Sequence, residues 1–553
     1  MDSNWAPASL RVLRSYSLTT FAHDAVAGFT VGLVALPLAM AFAIASGLSP
    51  QAGIYCAIVT GFLISALGGS RCQIGGPTGA FVVVVAGIVA DHGVNGLFMC
   101  TMMAGVILVV LGATGMGNAV KYLPRPVVVG FTNGIAVLIA STQIKDLLGL
   151  QIADVPAEFG ARVATLAGHL DTIAPRAALL AAASLGVILV MRHLVPRVPG
   201  TVVALLGGTV VVLLTGLDVA TIGSRFGGIP SGLPDASLPR FDVALVPTLI
   251  RPAITVALLG AIESLMSAVV ADRMSGDRHN PNVELVAQGV ANIASPVFGG
   301  LPATGAIART ATNIRSGART PVAGMLHALT LLIVLLAAAP LARFIPMPVL
   351  AAILMVVAYT MGEWHEVPKL LRLTRTDIAV WLTTFALTVF ADLTLAVEVG
   401  MILAALLYIH RVSMTTTVSR ITADDVESGR PHVLQGKPIP GYVAIFRIHG
   451  PFLFGMTDKI AAITDDLDTL PPIVIVRLRN MTAIDSTGVR ALEDLADELR
   501  RSNRTLILCG ARAQPSALMQ AAEFNRRVGD SNICPNVDSA LDRAATLITP
   551  RVA

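Results

Sequence analysis

Long apolar blocks, interrupted by charged or Gly/Pro-rich stretches, occupy the chain up to about residue 412. A helix that crosses a bilayer needs about 20 mostly apolar residues, and fourteen blocks are candidates. They fall near 24–46, 51–68, 77–91, 96–117, 124–144, 174–192, 199–216, 248–271, 283–298, 303–315, 321–342, 347–361, 377–391 and 394–411. The third and tenth are too short to cross alone. Beyond residue 440 the period changes. Residues 442–448 alternate as a strand, 473–478 read as a buried strand, and 505–509 as a third. Helix-like segments near 457–468, 487–502 and 514–527 accompany them, which predicts a small α/β domain. The expected organisation is a transmembrane transport domain over 1–412, an acidic, turn-rich linker over 413–440 and a soluble domain over 441–553.

Composition sharpens this division. Charged residues number 42 of the first 412 and 32 of the last 141, where a soluble domain carries about 25%. The first part has the makeup of a polytopic membrane protein, so a wholly soluble, secreted or disordered chain is excluded. The net charge of +4 is dispersed, and no nucleic-acid partner is expected. The five cysteines form no CxxC pair and have no metal-ligand spacing. No nucleophile–base or metal constellation marks an enzyme. The first 20 residues are polar and mixed, so no cleavable leader is expected.

Short loops set the expected orientation. With the N-terminus inside, the cytoplasmic connections carry Arg71, Lys121, Arg125, Arg192, Arg197, Arg273, Arg278, Arg315, Arg319, Lys369, Arg372 and Arg375. The short outer connections at 47–50, 92–95, 299–302 and 392–393 carry no Lys or Arg. Both termini are therefore expected in the cytoplasm of a multi-pass protein of the inner (plasma) membrane.

The chain also repeats itself. Thr78-Gly79-Ala80-Phe81 recurs as Thr304-Gly305-Ala306-Ile307, 226 residues on, and the same offset carries the first span onto the eighth. Seven spans separate the copies, so the second half is inverted, a pattern that points to a transporter's central site. The expected fold is a polytopic α-helical membrane protein of fourteen transmembrane segments, two inverted sevens each with a half-helix. A half-helix starting at mid-membrane leaves amide N–H groups without intrahelical partners and presents about half a positive charge. Two such starts facing each other make an anion cradle. Pro77 and Pro302 suit such starts, because proline tolerates a helix's first turn.

Two ionisable residues fall inside the apolar blocks. Glu263 lies mid-span with Ser267 one turn on; a central carboxylate costs at least ~2.5 kcal/mol, so it usually faces a cavity and a partner. Together the two could coordinate a small hard cation such as sodium, or Glu263 could carry a proton. A structural Glu paired to a neighbouring helix is the plainer alternative. Thr304 and Gly305 of the second copy join this coupling group. Arg309 lies inside the second half-helix, where it suits a bound anion or a counter-charge to Glu263; the alternative is an Arg that reaches an interface. Pro37 would kink or interrupt the first span, as a structural bend or a substrate contact. In the tail, Asp485-Ser486-Thr487-Gly488 opens a helix. Asp485 or Ser486 would cap it, and a phosphate on Ser486 or Thr487 would be favoured there.

These residues carry a resemblance. Leu36-Pro37-Leu38-Ala39-Met40-Ala41-Phe42, Gly76-Pro77-Thr78, Leu301-Pro302-Ala303-Thr304-Gly305, Ile262-Glu263-Ser264 and Asp485-Ser486-Thr487-Gly488 resemble the sulfate permease (SulP, solute carrier 26) anion transporters along nearly the whole chain. The resemblance implies a mobile core domain (spans 1–4 and 8–11), a gate domain (5–7 and 12–14), an elevator cycle and a homodimer. It makes the tail a STAS domain, with Ser486 at the position phosphorylated in the bacterial antagonists. It places an inorganic anion near Pro37, Thr78, Gly79, Ala308 and Arg309. No cofactor is implied beyond a coupling ion, sodium or a proton. Departures bear on the substrate: Leu38 stands where sulfate-type members commonly have Gln, and Ala306 and Ala308 where many have hydroxyls. The first-span motif is nearer the sodium-coupled bicarbonate transporters, which carry Asp where Glu263 stands and a hydroxyl at Ser267. The expected function is symport of an inorganic anion, bicarbonate slightly ahead of sulfate, with an anion channel or a dicarboxylate transporter as alternatives.

Overall fold

The computed structural model describes residues 5–12, 16–117, 124–153, 155–156, 158–195, 198–230, 232, 236–372, 374–391, 393–421, 439–454, 457–460, 463 and 467–548. Lys121, Arg197 and most of the expected linker, 422–438, lie outside these residues. The chain forms two compact units, Met1–Ala404 and Ala405–Ala553.

Fourteen apolar segments build the first unit and lead out of it, counted among the described residues. They are α1 (Leu18–Ala45), α2 (Pro50–Leu67), α3 (79–92), α4 (94–113), α5 (Arg125–Leu148), α6 (Pro175–Leu194) and α7 (Gly200–Thr215). The second seven are α8 (Val246–Ser275), α9 (Pro281–Ala294), α10 (Ile307–Arg315), α11 (Val322–Ala342), α12 (Met347–Met361), α13 (Arg375–Phe390) and α14 (Leu393–Thr415). α3 and α4 meet at Gly93, whose φ of 69° breaks an otherwise continuous helix. α10 is short, as its apolar block foretold. Pro37 does not interrupt α1, which runs from Leu18 to Ala45 through it. It does remove one amide, so the Leu33 carbonyl loses its i+4 donor.

Packing repeats the sequence symmetry. α1 packs on α11, and its counterpart α8 packs on the α3–α4 hairpin; α2 meets α11 as α9 meets α4; α5 meets α13 as α12 meets α6. Each contact recurs when every segment is exchanged with the one seven places along. The structural offset is 228, not 226: it separates Leu18 from Val246 at the starts of α1 and α8, and the N-caps Thr78 and Ala306 of α3 and α10. The Thr-Gly-Ala match is thus two residues out of register with the fold. Helices α1–α4 and α8–α11 form one packed group, and α5–α7 with α12 and α13 a second. In the first group a Cβ on Gly289 of α9 would stand 2.5 Å from the Gly105 carbonyl oxygen of α4. Only glycine permits so close a crossing, the usual means of helix association in lipid.

The second unit is a sheet in the order β3-β4-β5-β7-β8, with β6 also paired to β4. β3 (Thr417–Arg420) runs antiparallel to β4 (Val443–Phe452). β5 (Ile473–Arg477), β6 (Met481–Ile484), β7 (Thr505–Cys509) and β8 (Ile533–Cys534) join in parallel. α15 (Ser486–Arg501) and α16 (Ala513–Ala521) flank it, with α17 (Val537–Ile548) against β5, β7 and β8. β3 falls in the stretch that composition assigned to the linker; its β-branched Thr417-Val418 suits an edge strand. Of the helix expected over 457–468, residues 461, 462 and 464–466 lie outside the described residues; Ile463 is helical, and 3₁₀ turns flank it at Thr457–Ile460 and Leu467–Thr469.

Candidate functional site

Two interrupted helices meet inside the first packed group. β1 (Gly75–Gly76) precedes α3 and β2 (Thr304–Gly305) precedes α10. They pair antiparallel, Gly75 with Gly305 and Gly76 with Thr304. This short ladder satisfies backbone that lipid could not, the condition for irregular chain at membrane depth. It also sets the two helix starts side by side. Neither N-cap, Thr78 or Ala306, closes its side chain onto the first-turn amides, so the dipole ends keep donors for an anion. Pro77 lies two residues before α3 as expected, but Pro302 is five residues upstream of α10. Ala306, not the proline, starts the second half-helix.

Thr78 turns its hydroxyl away from its own helix and donates to Glu263 Oε2 at 2.9 Å. Arg309, the third residue of α10, is 2% exposed. Its Nη2 donates to the Pro77 carbonyl, while Nη1 is buried with no partner. A Cβ on Gly76 would stand 2.5 Å from that Nη1, so the guanidinium lies close against bare backbone. A permanent cation with an unused donor, beside two helix starts and a carboxylate, suits an oxyanion.

Thr78, Glu263 and Arg309 are thus brought together. Gly79 opens α3, with the Met361 side chain against it, and Ala308 is exposed at the start of α10. Pro37 is buried in α1, a helix that packs on α10. The coupling residues have separate partners. Ser267 Oγ is 3.0 Å from Thr310 Oγ1, which in turn accepts from the Ile74 amide at 3.0 Å. Thr304 Oγ1 donates to the Gly260 carbonyl at 2.7 Å, and Gly305 lies against the Gln73 amide. As bonded here, Glu263 and Ser267 have different partners. Ser486, first residue of α15, is exposed; Asp485 performs the capping, accepting from the Gly488 amide at 2.8 Å and the Phe454 amide at 2.9 Å.

A layer of buried polar braces behind the site escaped the sequence reading. Glu284 Oε2 accepts from the Gly69 and Ser70 amides at 2.9 and 3.1 Å, and its Oε1 from Gln288 at 3.0 Å. Asn292 clamps the Ala303 amide and carbonyl, each at 2.8 Å. Asp24 accepts from the Arg319 amide at 2.8 Å and the Thr320 amide at 3.1 Å, holding the turn before α11. Gln73 donates to Ser264 O at 3.0 Å and its Oγ at 3.1 Å. The one available signal was a carboxylate inside an apolar helix, at Asp24 and Glu284; their partners lie hundreds of residues away.

Fold and site together define a class: a multi-pass membrane transporter made of two inverted seven-segment halves, with two paired helix starts where they cross and an α/β tail. The sequence profile of the sulfate permease family matches residues 21–384, and that of the STAS domain residues 437–540. The chain belongs to the sulfate permease family and carries a C-terminal STAS domain. It is 40% identical over 527 residues to the putative sulfate transporter YvdB of Bacillus subtilis, covering 95% of this chain and 98% of the relative. It is 30% identical over 547 residues to the bicarbonate transporter BicA of Picosynechococcus sp., covering 96% of each. The fold matches the overall structure of SLC26A9 with a TM-score of 0.87 at 18% identity, over 97% of this chain and 92% of that one. As these relatives are transporters, the chain is an anion transporter of the membrane rather than an enzyme.

Proposed function

We propose that the protein is a secondary active transporter of a small inorganic oxyanion, bicarbonate slightly ahead of sulfate, driven by a sodium or proton gradient. One observation carries this reading: Arg309 offers a buried, unpartnered guanidinium nitrogen between two helix starts. The anion would sit against Arg309 Nη1, the first-turn amides of α3 and α10, and Thr78. Glu263, held by Thr78, would link that site to the coupling ion. The different partners of the two residues, Thr78 for Glu263 and Thr310 for Ser267, favour a proton on Glu263 over a sodium ion shared by both. The two packed helix groups support a core that moves against a gate, the apolar first unit supports residence in the inner membrane, and the Lys/Arg of the short loops support both termini in the cytoplasm. The expected homodimer, the boundaries at 412 and 440, and Ser486 as a phosphorylated switch belong to the same reading.

The test is uptake by proteoliposomes from a panel of bicarbonate, sulfate and dicarboxylates, with and without sodium and at two pH values. The reading expects saturable uptake of one oxyanion that follows a cation gradient and is lost in Arg309→Ala. Current that grows without saturation and ignores both gradients would make the protein an anion channel instead.

A further inference from the structure

Register runs unbroken across the sheet of the second unit. Ser419 pairs with Arg447, Arg447 with Arg477, Arg477 with Cys509 and Cys509 with Cys534. Register partners in neighbouring strands point to the same face, so one row of side chains crosses five strands. Below it that face is apolar: Val443, Ile445, Ile473, Ile475 and Ile507 form a core with Ala540 and Ala544 of α17. The row therefore ends a hydrophobic face with two guanidiniums set directly opposite one another. Like charges in that position destabilise a sheet, and burying a charge without a partner is costly.

Among the described residues no acid offsets them. Arg477 is 8% exposed, and among the described residues neither arginine has a carboxylate within ion-pair distance or a hydrogen bond. Arg447 Nε is buried with no partner. Exposed His449 and Arg479 lie two residues further on in each case. Burial lowers the Arg477 guanidinium below its ordinary value, and the charges of Arg447 and Arg479 push the same way. The row lies at the carboxyl ends of β5, β7 and β8, where parallel sheets commonly receive ligands.

We propose that Arg447 and Arg477 form a binding site for a small oxyanion on the STAS domain, separate from the transport site. Two adjacent forked guanidiniums match the paired oxygens of a bicarbonate, sulfate or phosphate group. The bound anion would neutralise the repulsion between the two guanidiniums, and Ser419 Oγ, next along the row, could donate a further hydrogen bond.

The experiment uses the full-length chain carrying Arg309→Ala, so that transport-site binding is silenced. Hydrogen exchange is followed by mass spectrometry with bicarbonate, sulfate or phosphate added at millimolar concentration and constant ionic strength in chloride. The expected result is several-fold slower exchange in peptides covering 445–450 and 475–481 with at least one of the three, and its loss in Arg477→Gln. The half-buried Arg447→Gln serves as a second variant that leaves the apolar face untouched; unchanged protection in β7 shows that either variant is folded. The anion giving the strongest protection identifies the ligand, phosphate indicating a phosphate group and the others a transport-type anion. No slowing with any oxyanion, or slowing that survives both substitutions, would overturn the proposal.

Discussion

Gly76→Ala is the most informative single change at the transport site. Gly76 has φ of 148°, a backbone state that side-chain-bearing residues rarely adopt. Forcing an alanine there costs about 1–3 kcal/mol. The new Cβ would also stand 2.5 Å from Arg309 Nη1, so the guanidinium must leave its bond to the Pro77 carbonyl. A hydrogen bond from a charged group is worth about 1.5–3 kcal/mol. If the two effects together remove about 3 kcal/mol of site organisation, uptake falls by roughly a hundredfold. Gly79→Ala is the control, because its Cβ meets only the ends of flexible side chains, those of Met361 and Ile139. The assay is the initial rate of anion uptake into proteoliposomes, normalised to folded protein by thermal melting. Gly76→Ala working at the wild-type rate, or Gly79→Ala proving equally harmful, would refute the role given to the Gly76 backbone.

Further expectations concern coupling and stability. Thr78→Val keeps the shape but removes the donor to Glu263, an interaction to a charged group worth about 1.5–3 kcal/mol; gradient-driven uptake should fall more than anion exchange, and equal losses would show that Thr78 does not act through Glu263. Glu263→Gln should abolish gradient-driven uptake while sparing some exchange, whereas uptake that still follows the gradient at full strength would make Glu263 structural. Glu284→Leu strips the acceptor from the buried Gly69 and Ser70 amides; a loss of about 1–3 kcal/mol should lower the melting temperature well below that of Glu263→Gln. In the STAS domain, burial pushes the Cys509 thiol up to about 12, so it stays protonated through pH 8. A thiolate-directed reagent should leave it unlabelled until the domain unfolds; labelling of the native chain, checked by peptide mass, would contradict the burial.

Most of the membrane architecture was legible because lipid imposes a simple rule of apolar length, and all fourteen blocks became helical segments. The two short blocks announced α3 and α10 for the same reason. Glu263 and Arg309 stood out because a charge inside an apolar run is rare. The register of the second half-helix was not legible. Thr304-Gly305 matches the residues that start α3, yet it forms β2, and the helix waits for Ile307. Local sequence could not decide this, since the Gly76–Thr304 and Gly75–Gly305 pairing that holds it as a strand joins the two halves of the chain. The partners of the braces were hidden in the same way: Asp24 and Glu284 accept amides from distant loops, Gln73 donates to Ser264 far along the chain, and Asn292 clamps Ala303 only once the fold turns that segment back. In the tail the central strands were plain from their apolar runs. Two-residue β8 and edge strand β3 were not, because pairing rather than hydrophobic pattern defines them.

The account stands on an oxyanion resting between the starts of α3 and α10, and a density map of the protein saturated with its preferred oxyanion tests this most directly. The predicted map has density for the anion within hydrogen-bond reach of Arg309 Nη1 and the first-turn amides of both helices. An anion held elsewhere in the membrane, with the space before Thr78 and Arg309 left vacant, would contradict it.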